Sequence, residues 1–262
     1  MSITIMRDQL RDKGYCVIKN ALNSNQISEI SMISRSIVSQ ISSETRELQK
    51  GLGSIIPIEN HENVVKFWHK NFPIRFIEMI VKGKLDIIYG VIFSKPMNSG
   101  PTFWHQDALY WDQEEAYTDQ IIQINILVYL CDTNSSTGSL RIIPGSHRYK
   151  NPIHLEWINM LNRHENNLSK VINILRESEA KEAWSLNSKE DMEELSSKAG
   201  DLIILDSRLL HGTFSNEMLN ERILHSFSGI VDNKVISMNA SEDLKMKRFT
   251  VNLRLPNLEK ML

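Results

Sequence analysis

The spacing of hydrophobic residues divides the chain into a helical N-terminal part and a β-rich remainder. Apolar side chains that recur every three or four residues indicate amphipathic helices in the first part. The predicted helices are Met1–Lys13, Gln26–Gln40 and Val64–Val81, the last interrupted near Pro73. Tyr15–Lys19 is predicted as a strand, and Ser42–Asn60, which contains two glycines, as a loop.

From residue 85 onward the pattern changes to short β-type runs separated by Gly, Pro, Asn and Asp turns. Such a pattern is typical of a sandwich or barrel of antiparallel strands, such as a double-sheet jelly roll. The predicted strands are Leu85–Phe93, Phe103–Asp107, Gln120–Cys131, Ser139–Ile143, Asp201–Leu205, Arg208–Phe214, Arg222–Ile230 and Phe249–Leu253. We therefore expect a mainly β protein with flanking helices (α+β).

One segment, Tyr149–Lys198, interrupts the β-rich part with a helical and highly charged pattern. At about fifty residues it is too long for a plain connection. We interpret it as a partly helical, lid-like insertion (149–198) over the mouth of the barrel, within a single domain spanning 1–262. Its tryptophans, Trp157 and Trp184, are candidate substrate contacts. The alternative is that both tryptophans only pin the insertion to the barrel.

Composition and charge narrow the possible function classes. A chain of 262 residues with 41% hydrophobic and 24% charged residues can build a sizeable core without disulfides or a structural metal. A net charge of −2 gives no reason to expect nucleic acid or a membrane surface as a partner. Cys16 and Cys131 match no disulfide or zinc pattern and are expected to be buried free thiols. Because no apolar run suits a signal peptide or a membrane span, a cytoplasmic location is expected.

The candidate chemistry lies in the predicted strand Phe103–Asp107. Positions i and i+2 of a strand point to the same face, so His105 and Asp107 project side by side. His211 could join them, because strands distant in sequence can face one another in a rolled sheet. Two histidines and one carboxylate form the facial triad of non-haem Fe(II) oxygenases. His147 follows a Pro-Gly turn and is interpreted as structural, and the other histidines as hydrogen-bonded or solvated.

Arg222 is the second candidate feature. It stands eleven residues after His211 (222 − 211 = 11) and opens an otherwise apolar strand. Its guanidinium can donate two parallel bonds to a carboxylate, which suits the far end of a metal-bound 2-oxoglutarate. Thr213 would share the face of His211, so its hydroxyl could bind the same carboxylate. The alternative is a surface arginine paired with Glu217 or Glu221.

Taken together, these motifs resemble the phytanoyl-CoA dioxygenase family of Fe(II)/2-oxoglutarate-dependent oxygenases. The matching segments are Asp12–Leu22, Phe93–Pro96, Trp104–Asp107, Thr137–Leu140, Pro144–His147, Ala199–Asp206 and Leu210–Thr213, followed by Asn216 and Arg222. The resemblance implies a double-stranded β-helix fold and an enzyme that uses 2-oxoglutarate and dioxygen as co-substrates. It further implies that His105, Asp107 and His211 bind iron, and that Arg222, with Thr213, binds 2-oxoglutarate.

Two details of the resemblance bear on the reaction. Some relatives replace the carboxylate ligand with a small residue and halogenate, because chloride takes the vacant position. The presence of Asp107 therefore favours hydroxylation or another oxidation. The family often has a tryptophan on the strand after the metal pair, whereas this chain has none between Gln120 and Leu127. By alternation Gln123, Asn125 and Leu127 share one face, which either lines the pocket or lies on a half-exposed surface.

The expected activity is the hydroxylation of an unactivated C–H bond, with release of succinate and CO2. The expected substrate is a small metabolite or a biosynthetic intermediate of secondary metabolism. Desaturation, ring closure and epimerisation need the same ligands and stay open, and no feature predicts an oligomeric state. Two alternatives remain: a catalytically silent β-helix protein that binds metal or ligand, and a cupin-type enzyme that does not use 2-oxoglutarate.

Overall fold

Two antiparallel sheets and a layer of N-terminal helices make up the described part of the computed structural model, which covers residues 2–49, 53–107, 117–149, 163 and 192–232. The helices are α1 (Ile3–Lys13), α2 (Ser24–Ser39), α3 (Ser43–Gln49), α4 (Glu62–Asn71) and α5 (Ile74–Val81), with 3-10 turns at Ile58–Asn60 and Ser146–Arg148. The strands are β1 (Tyr15–Ile18), β2 (Ser54–Pro57), β3 (Leu85–Lys95), β4 (Thr102–His105), β5 (Gln123–Tyr129), β6 (Leu140–Ile142), β7 (Glu193–Leu195), β8 (Leu202–Asp206), β9 (His211–Thr213) and β10 (Arg222–Val231).

The strand order confirms the expected double-sheet architecture. The larger sheet has the order β1-β8-β5-β10-β3-β2, and the smaller one the order β4-β9-β6-β7. Neighbouring strands in both sheets are antiparallel. Neighbours in space come from distant parts of the chain, as in a rolled-up sheet. This topology brings the early strand β4 beside the late strand β9.

Alternation along β5 shows how one strand serves two apolar layers. Ile124, Ile126 and Val128 pack in the cluster that joins the larger sheet to the helices. Leu127 and Tyr129 point the opposite way, into the cluster between the two sheets. All seven residues of β5 are buried, as expected for a strand covered on both faces. We call the face toward the smaller sheet the inner face.

The helix ends follow the signals in the sequence. The first helix ends at Gly14, whose φ of 82° lies in the left-handed region. A capping box between Asn23 and Gln26 starts α2. The predicted interruption near Pro73 is confirmed, because α4 ends at Asn71 and α5 begins at Ile74.

The prediction of a loop over Ser42–Asn60 is wrong. The described residues of this segment form α3, β2 and a 3-10 turn. Strand β2 has only four residues and pairs along one side with β3, at the edge of the larger sheet. It ends at Pro57, a residue that edge strands tolerate because one side makes no ladder bonds. Tertiary pairing, which local spacing does not reveal, therefore creates this strand.

Other boundaries also differ from the predictions. The predicted strand Phe103–Asp107 already ends at His105, and the strand predicted over Arg208–Phe214 is limited to β9. Cys16 is buried as expected, whereas Cys131 is partly exposed, and both are free thiols.

Parts of the predictions fall on other stretches. Strand β7 lies within the range 149–198 predicted as an insertion, yet it pairs with β6 in the smaller sheet. Most of that insertion, with Trp157 and Trp184, and the predicted strand Phe249–Leu253 lie outside the described residues. Among the described helices, none is both long and apolar enough to cross a membrane.

Candidate metal centre

The side chains of His105, Asp107 and His211 converge between strands β4 and β9. His105 is the cross-strand partner of His211. The Nε2 atom of His105 lies 3.5 Å from Asp107 Oδ1, and Nε2 of His211 lies 3.4 Å from Asp107 Oδ2. One ligand atom from each residue lies within 4.8 Å of the other two. Adjacent ligands about 2.1 Å from one ion are roughly 3 Å apart, so a small contraction would complete a three-ligand site.

A bulge in β4 sets the direction of the first histidine. Thr102 pairs with Thr213 and His105 with His211, so three steps along β4 match two steps along β9. The extra residue places Thr102 and His105 on the same face. The bulged backbone crowds Gly212, where an added Cβ would lie 2.7 Å from the Thr102 carbonyl oxygen. The glycine between His211 and Thr213 therefore permits the close approach of the two ligand strands.

Both histidines are held in the tautomer that suits metal binding. Nδ1 of His105 lies 2.8 Å from the Phe103 carbonyl oxygen, and Nδ1 of His211 lies 2.9 Å from that of Leu209. A carbonyl oxygen only accepts hydrogen bonds, so each Nδ1 carries the hydrogen. The Nε2 lone pairs then point toward Asp107 and are available to a metal ion.

Residues 206–209, which are the last residue of β8 and the start of its connection to β9, are called the 206–209 loop and support Asp107 and His211. Its backbone accepts hydrogen bonds at three successive carbonyl groups. The carbonyl oxygens of Ser207, Arg208 and Leu209 accept from the Asp107 N–H, the Gln106 side-chain amide and the His211 ring N–H, respectively. Asp107 lies beyond the end of β4, so its 2.8 Å backbone bond to this loop replaces the missing strand pairing.

A buried ion pair fixes the shape of the 206–209 loop. The Asp206 carboxylate accepts from the Arg208 backbone N–H and Nε, both at 2.9 Å, and from its Nη2 at 2.6 Å. The remaining guanidinium donors reach the carbonyl oxygens of Thr118 and Gln120. Both side chains are only 1% exposed, so the pair is shielded from water. This pair could not be predicted from the sequence, because its significance depends on the fold.

Asp107 is oriented from the larger sheet as well. The Asn125 amide on the inner face of β5 donates to Asp107 Oδ2. The face shared by Gln123 and Asn125 therefore lines the interior, and Gln123 donates to the Ser228 hydroxyl at 3.0 Å. Burial works against a charge on His211, but the Asp107 carboxylate outweighs it, and the pKa of His211 is raised. The surroundings of this imidazole therefore favour positive charge, which a bound metal cation would also provide.

Arg222 is buried rather than on the surface, so the surface alternative is wrong. Its Nη1 donates to the Gly138 carbonyl oxygen at 2.7 Å. Its Nε and Nη2 have no hydrogen-bond partner among the described residues. Glu221, the proposed surface partner, instead accepts from Arg46 at 2.8 Å. Burial of this cation lowers the pKa of Arg222, and a carboxylate bound here would stabilise the charge.

A second buried cation, Lys95, stands opposite Arg222 on β3. Its Nζ donates to the Gly100 carbonyl oxygen at 2.7 Å and to Thr213 Oγ1 at 3.2 Å. Thr213 lies two residues after His211 on β9, so both side chains point to the same side of the smaller sheet. The Thr213 hydroxyl also pairs with that of Thr102 at 2.7 Å. The sequence offered one signal for Lys95, a lysine closing an apolar strand before a proline, but sequence analysis assigned it no role. Together, the two neighbouring buried cations on β3 and β10 make this end of the larger sheet suited to bind an anion.

The histidines interpreted as structural are indeed engaged elsewhere. His147 is buried, and its Nε2 lies 2.9 Å from the Arg11 carbonyl oxygen. His225 faces the helices, where Trp68 Nε1 donates to its Nδ1 at 2.6 Å and Ser34 Oγ lies 2.8 Å from its Nε2. Neither belongs to the group of possible metal ligands.

Comparisons with known proteins bear on the family and on the fold. The family model described as phytanoyl-CoA dioxygenase (PhyH) matches residues 10–222. No match was found among curated protein sequences. Solved structures with the same fold include the non-heme alpha-ketoglutarate-dependent epimerase SnoN from nogalamycin biosynthesis. It is 14% identical, with 90% of this chain and 87% of that chain covered at a TM-score of 0.61.

Two further structures share the fold. EctD from S. alaskensis, solved with 2-oxoglutarate and 5-hydroxyectoine, is 15% identical over 88% of this chain and 76% of its own, with a TM-score of 0.60. HygX from Streptomyces hygroscopicus, solved with nickel and 2-oxoglutarate, is 15% identical over 87% of each chain, with a TM-score of 0.62. At these identities the likeness shows the fold alone.

Proposed function

Because the chain belongs to the phytanoyl-CoA dioxygenase family and is thus an oxidoreductase enzyme, we propose that it binds Fe(II) through His105, Asp107 and His211. We further propose that it consumes 2-oxoglutarate and dioxygen to hydroxylate an unactivated C–H bond, releasing succinate and CO2. The substrate class we propose is a small metabolite or a biosynthetic intermediate. The observation that carries the proposal is the convergence of these three side chains, in a chain whose buried Arg222 keeps two donor atoms without a partner among the described residues.

The donor set suits ferrous iron. Two neutral imidazoles and one carboxylate on one face leave the opposite positions open for other ligands. The bound iron and the 2-oxo acid would supply the activation of dioxygen, which protein side chains cannot provide. The chain itself holds the ligands: Asn125 and the 206–209 loop fix Asp107 and His211, and the bulge directs His105. Exposure rises from 8% for the His211 side chain to 31% for Asp107, so access lies on the Asp107 side.

Arg222 suits the distal carboxylate of 2-oxoglutarate. A guanidinium with two unpaired donors in a buried position costs free energy unless an acceptor satisfies them. A carboxylate satisfies both at once and supplies the missing counter-charge. Lys95 pairs with Arg222 across β3 and β10 and donates to Thr213, so Lys95 and Thr213 would add polar contacts to that end of the co-substrate.

Hydroxylation is the outcome we propose, and Asp107 is the residue that bears on it. A carboxylate at this position occupies the place that a halide would need, which argues against halogenation. SnoN, which has the same fold, is described as an epimerase. Products must therefore be identified by mass. Gain of one oxygen supports hydroxylation, loss of two hydrogens indicates desaturation or ring closure, and an unchanged mass indicates epimerisation.

The first test measures succinate formed from 2-oxoglutarate in the presence of Fe(II) and dioxygen. We expect turnover by the wild type, none by Asp107→Ala, and a steeply raised 2-oxoglutarate KM for Arg222→Ala. The affinity of Arg222→Ala for the metal ion should be unchanged, since Arg222 is not one of the proposed metal-binding residues. A wild type that neither binds Fe(II) nor forms succinate would favour the silent β-helix protein. Substrate oxidation that needs no 2-oxoglutarate and ignores Arg222→Ala would favour the cupin-type enzyme.

A further inference from the structure

Tyr129 has a buried hydroxyl whose hydrogen meets no acceptor in the described part of the chain. It is the last residue of β5, points to the inner face and is fully buried. The Arg222 guanidinium beside it can only donate, toward the phenol oxygen, and the hydrogen of the hydroxyl has no acceptor among the described residues. Nearly all buried polar groups in folded proteins are hydrogen-bonded, so a buried O–H without an acceptor points to a group bound from outside the chain.

The Tyr129 hydroxyl lies beside the guanidinium donors of Arg222. Tyr129 pairs with Leu224 across strands β5 and β10, so Arg222 is its diagonal neighbour on the same face. The guanidinium carbon is 5.8 Å from the centre of the Tyr129 ring. Nε and Nη2 of Arg222 and the Tyr129 O–H thus form one buried group, in which the phenol oxygen lies beside the guanidinium and no described residue accepts the phenol hydrogen.

The phenol is held in its donor form. Burial raises the pKa of Tyr129, and the nearby Arg222 cation offsets this only in part. At neutral pH the group is therefore an O–H, which can donate to an anion. An acceptor with two oxygen atoms and a negative charge matches this donor group better than a neutral acceptor does, because it also balances the guanidinium charge.

We propose that the Tyr129 hydroxyl binds the same distal carboxylate as Arg222 and thereby helps select a 2-oxo acid with two carboxylates as co-substrate. This inference rests on the proposed function. A 2-oxo acid without the distal carboxylate offers no acceptor to the Tyr129 O–H or to Nε and Nη2 of Arg222. Sites built to bind a polar group reject analogues without that group strongly, for the same reason.

The test compares Tyr129→Phe with Tyr15→Phe, which removes a phenol from the same apolar cluster. The Tyr15 hydroxyl already donates to Glu193 Oε2 at 2.6 Å, so its loss removes an existing bond. Binding of 2-oxoglutarate is measured by calorimetry on Ni(II)-loaded protein without dioxygen, and Tm is measured on the ligand-free protein. 2-Oxopentanoate, which has a methyl group in place of the distal carboxylate, is the comparison ligand.

We expect Tyr129→Phe to raise the Kd for 2-oxoglutarate about tenfold or more. Its ligand-free Tm should be nearly unchanged, because the hydrogen of the removed hydroxyl has no acceptor among the described residues. Tyr15→Phe should show the opposite: a lower Tm and an unchanged Kd. Any binding of 2-oxopentanoate should be no weaker in Tyr129→Phe than in the wild type.

Two results would overturn the inference while leaving the proposed function intact. One is a Tyr129→Phe variant that binds 2-oxoglutarate as tightly as the wild type. The other is a Tyr129→Phe variant with a lowered ligand-free Tm and equal losses for both ligands, which would mean a structural role. If the wild type binds 2-oxoglutarate no better than 2-oxopentanoate, the proposed function itself fails, whatever Tyr129 does.

Discussion

Gly212 determines how closely the two histidine strands approach. In Gly212→Ala, the new Cβ would lie 2.7 Å from the Thr102 carbonyl oxygen and would push β4 away from β9. We expect a loss of about 1–3 kcal/mol in the free energy of unfolding. Because the displacement separates His105 from His211, we also expect Ni(II) to bind at least about tenfold more weakly, a change of about 1.4 kcal/mol.

The matched control for this variant is Gly100→Ala. A Cβ at Gly100 meets no atom within 4 Å, so both the free energy of unfolding and the Ni(II) affinity should stay near the wild-type values. Calorimetric titration of the three proteins with Ni(II) provides the measurement. Wild-type affinity in Gly212→Ala would show that the bulge absorbs the methyl group without moving the ligands.

At the residue scale, the sequence was sufficient to predict side chains whose spacing itself carries the signal. The His-x-Asp pair is local, and His211 and Arg222 stand in recognisable motifs. Lys95 and Asn125 were harder to assign because their significance depends on their neighbours in space. Lys95 matters because it lies opposite Arg222, and the Asn125 amide matters because it reaches Asp107. Neither neighbour follows from sequence distance.

The 206–209 loop is the element that links the ligands to the fold. In Arg208→Met, Asp206 loses its buried partner, and removal of one member of such a pair costs about 3–5 kcal/mol. The loop carbonyls that orient Asp107 and His211 would shift as well. We therefore expect weaker Ni(II) binding together with a lower free energy of unfolding, measured by calorimetry and by urea denaturation.

An exposed pair provides the control for Arg208→Met. Lys198 lies 2.7 Å from Asp132 with 74% of its side chain exposed, so Lys198→Met should change stability little and metal binding not at all. Arg208→Lys keeps the charge but not the planar fork, and should bind Ni(II) with intermediate affinity if it folds. A folded Arg208→Lys with wild-type Ni(II) affinity and reduced stability would limit the loop to a structural role.

At the element scale, the amphipathic helices were predicted from sequence, whereas two of the four edge strands, β2 and β7, were not. The helices α2, α4 and α5 follow from local apolar spacing. Strands β2 and β7, with four and three residues, lie at sheet edges. Length alone does not explain the difference, because the edge strands β1 and β4 have only four residues each and were predicted. β2 follows two glycines and β7 lies in a charged segment, so pairing with their neighbours decides their conformation.

At the scale of the whole molecule, the larger sheet separates structural from chemical tasks. Its outer face packs against the helices, and its inner face carries the polar groups near the candidate metal centre. Strand β10 shows both uses within four residues, from Arg222 to His225. Arg222 points inward, and two of its donor atoms have no partner among the described residues. His225 points outward, and both of its ring nitrogens are hydrogen-bonded. On this strand, the side chain with unpaired donors faces the position proposed for a ligand, and the fully bonded one lies where the sheet meets the helices.

His225, buried between the helices and the larger sheet, should make the free energy of unfolding depend on pH. Burial lowers the pKa of His225 to about 3, against about 6.5 in an unfolded chain. Below pH about 6.5 the unfolded chain binds a proton that the folded protein excludes, so stability falls. Between about pH 7.5 and about pH 5.5 this residue alone should cost about 1.4 kcal/mol. Urea denaturation at both pH values should show a loss that is larger by about this amount in the wild type than in His225→Gln, whose amide does not titrate. Equal losses in the two proteins would mean that other groups set the pH dependence.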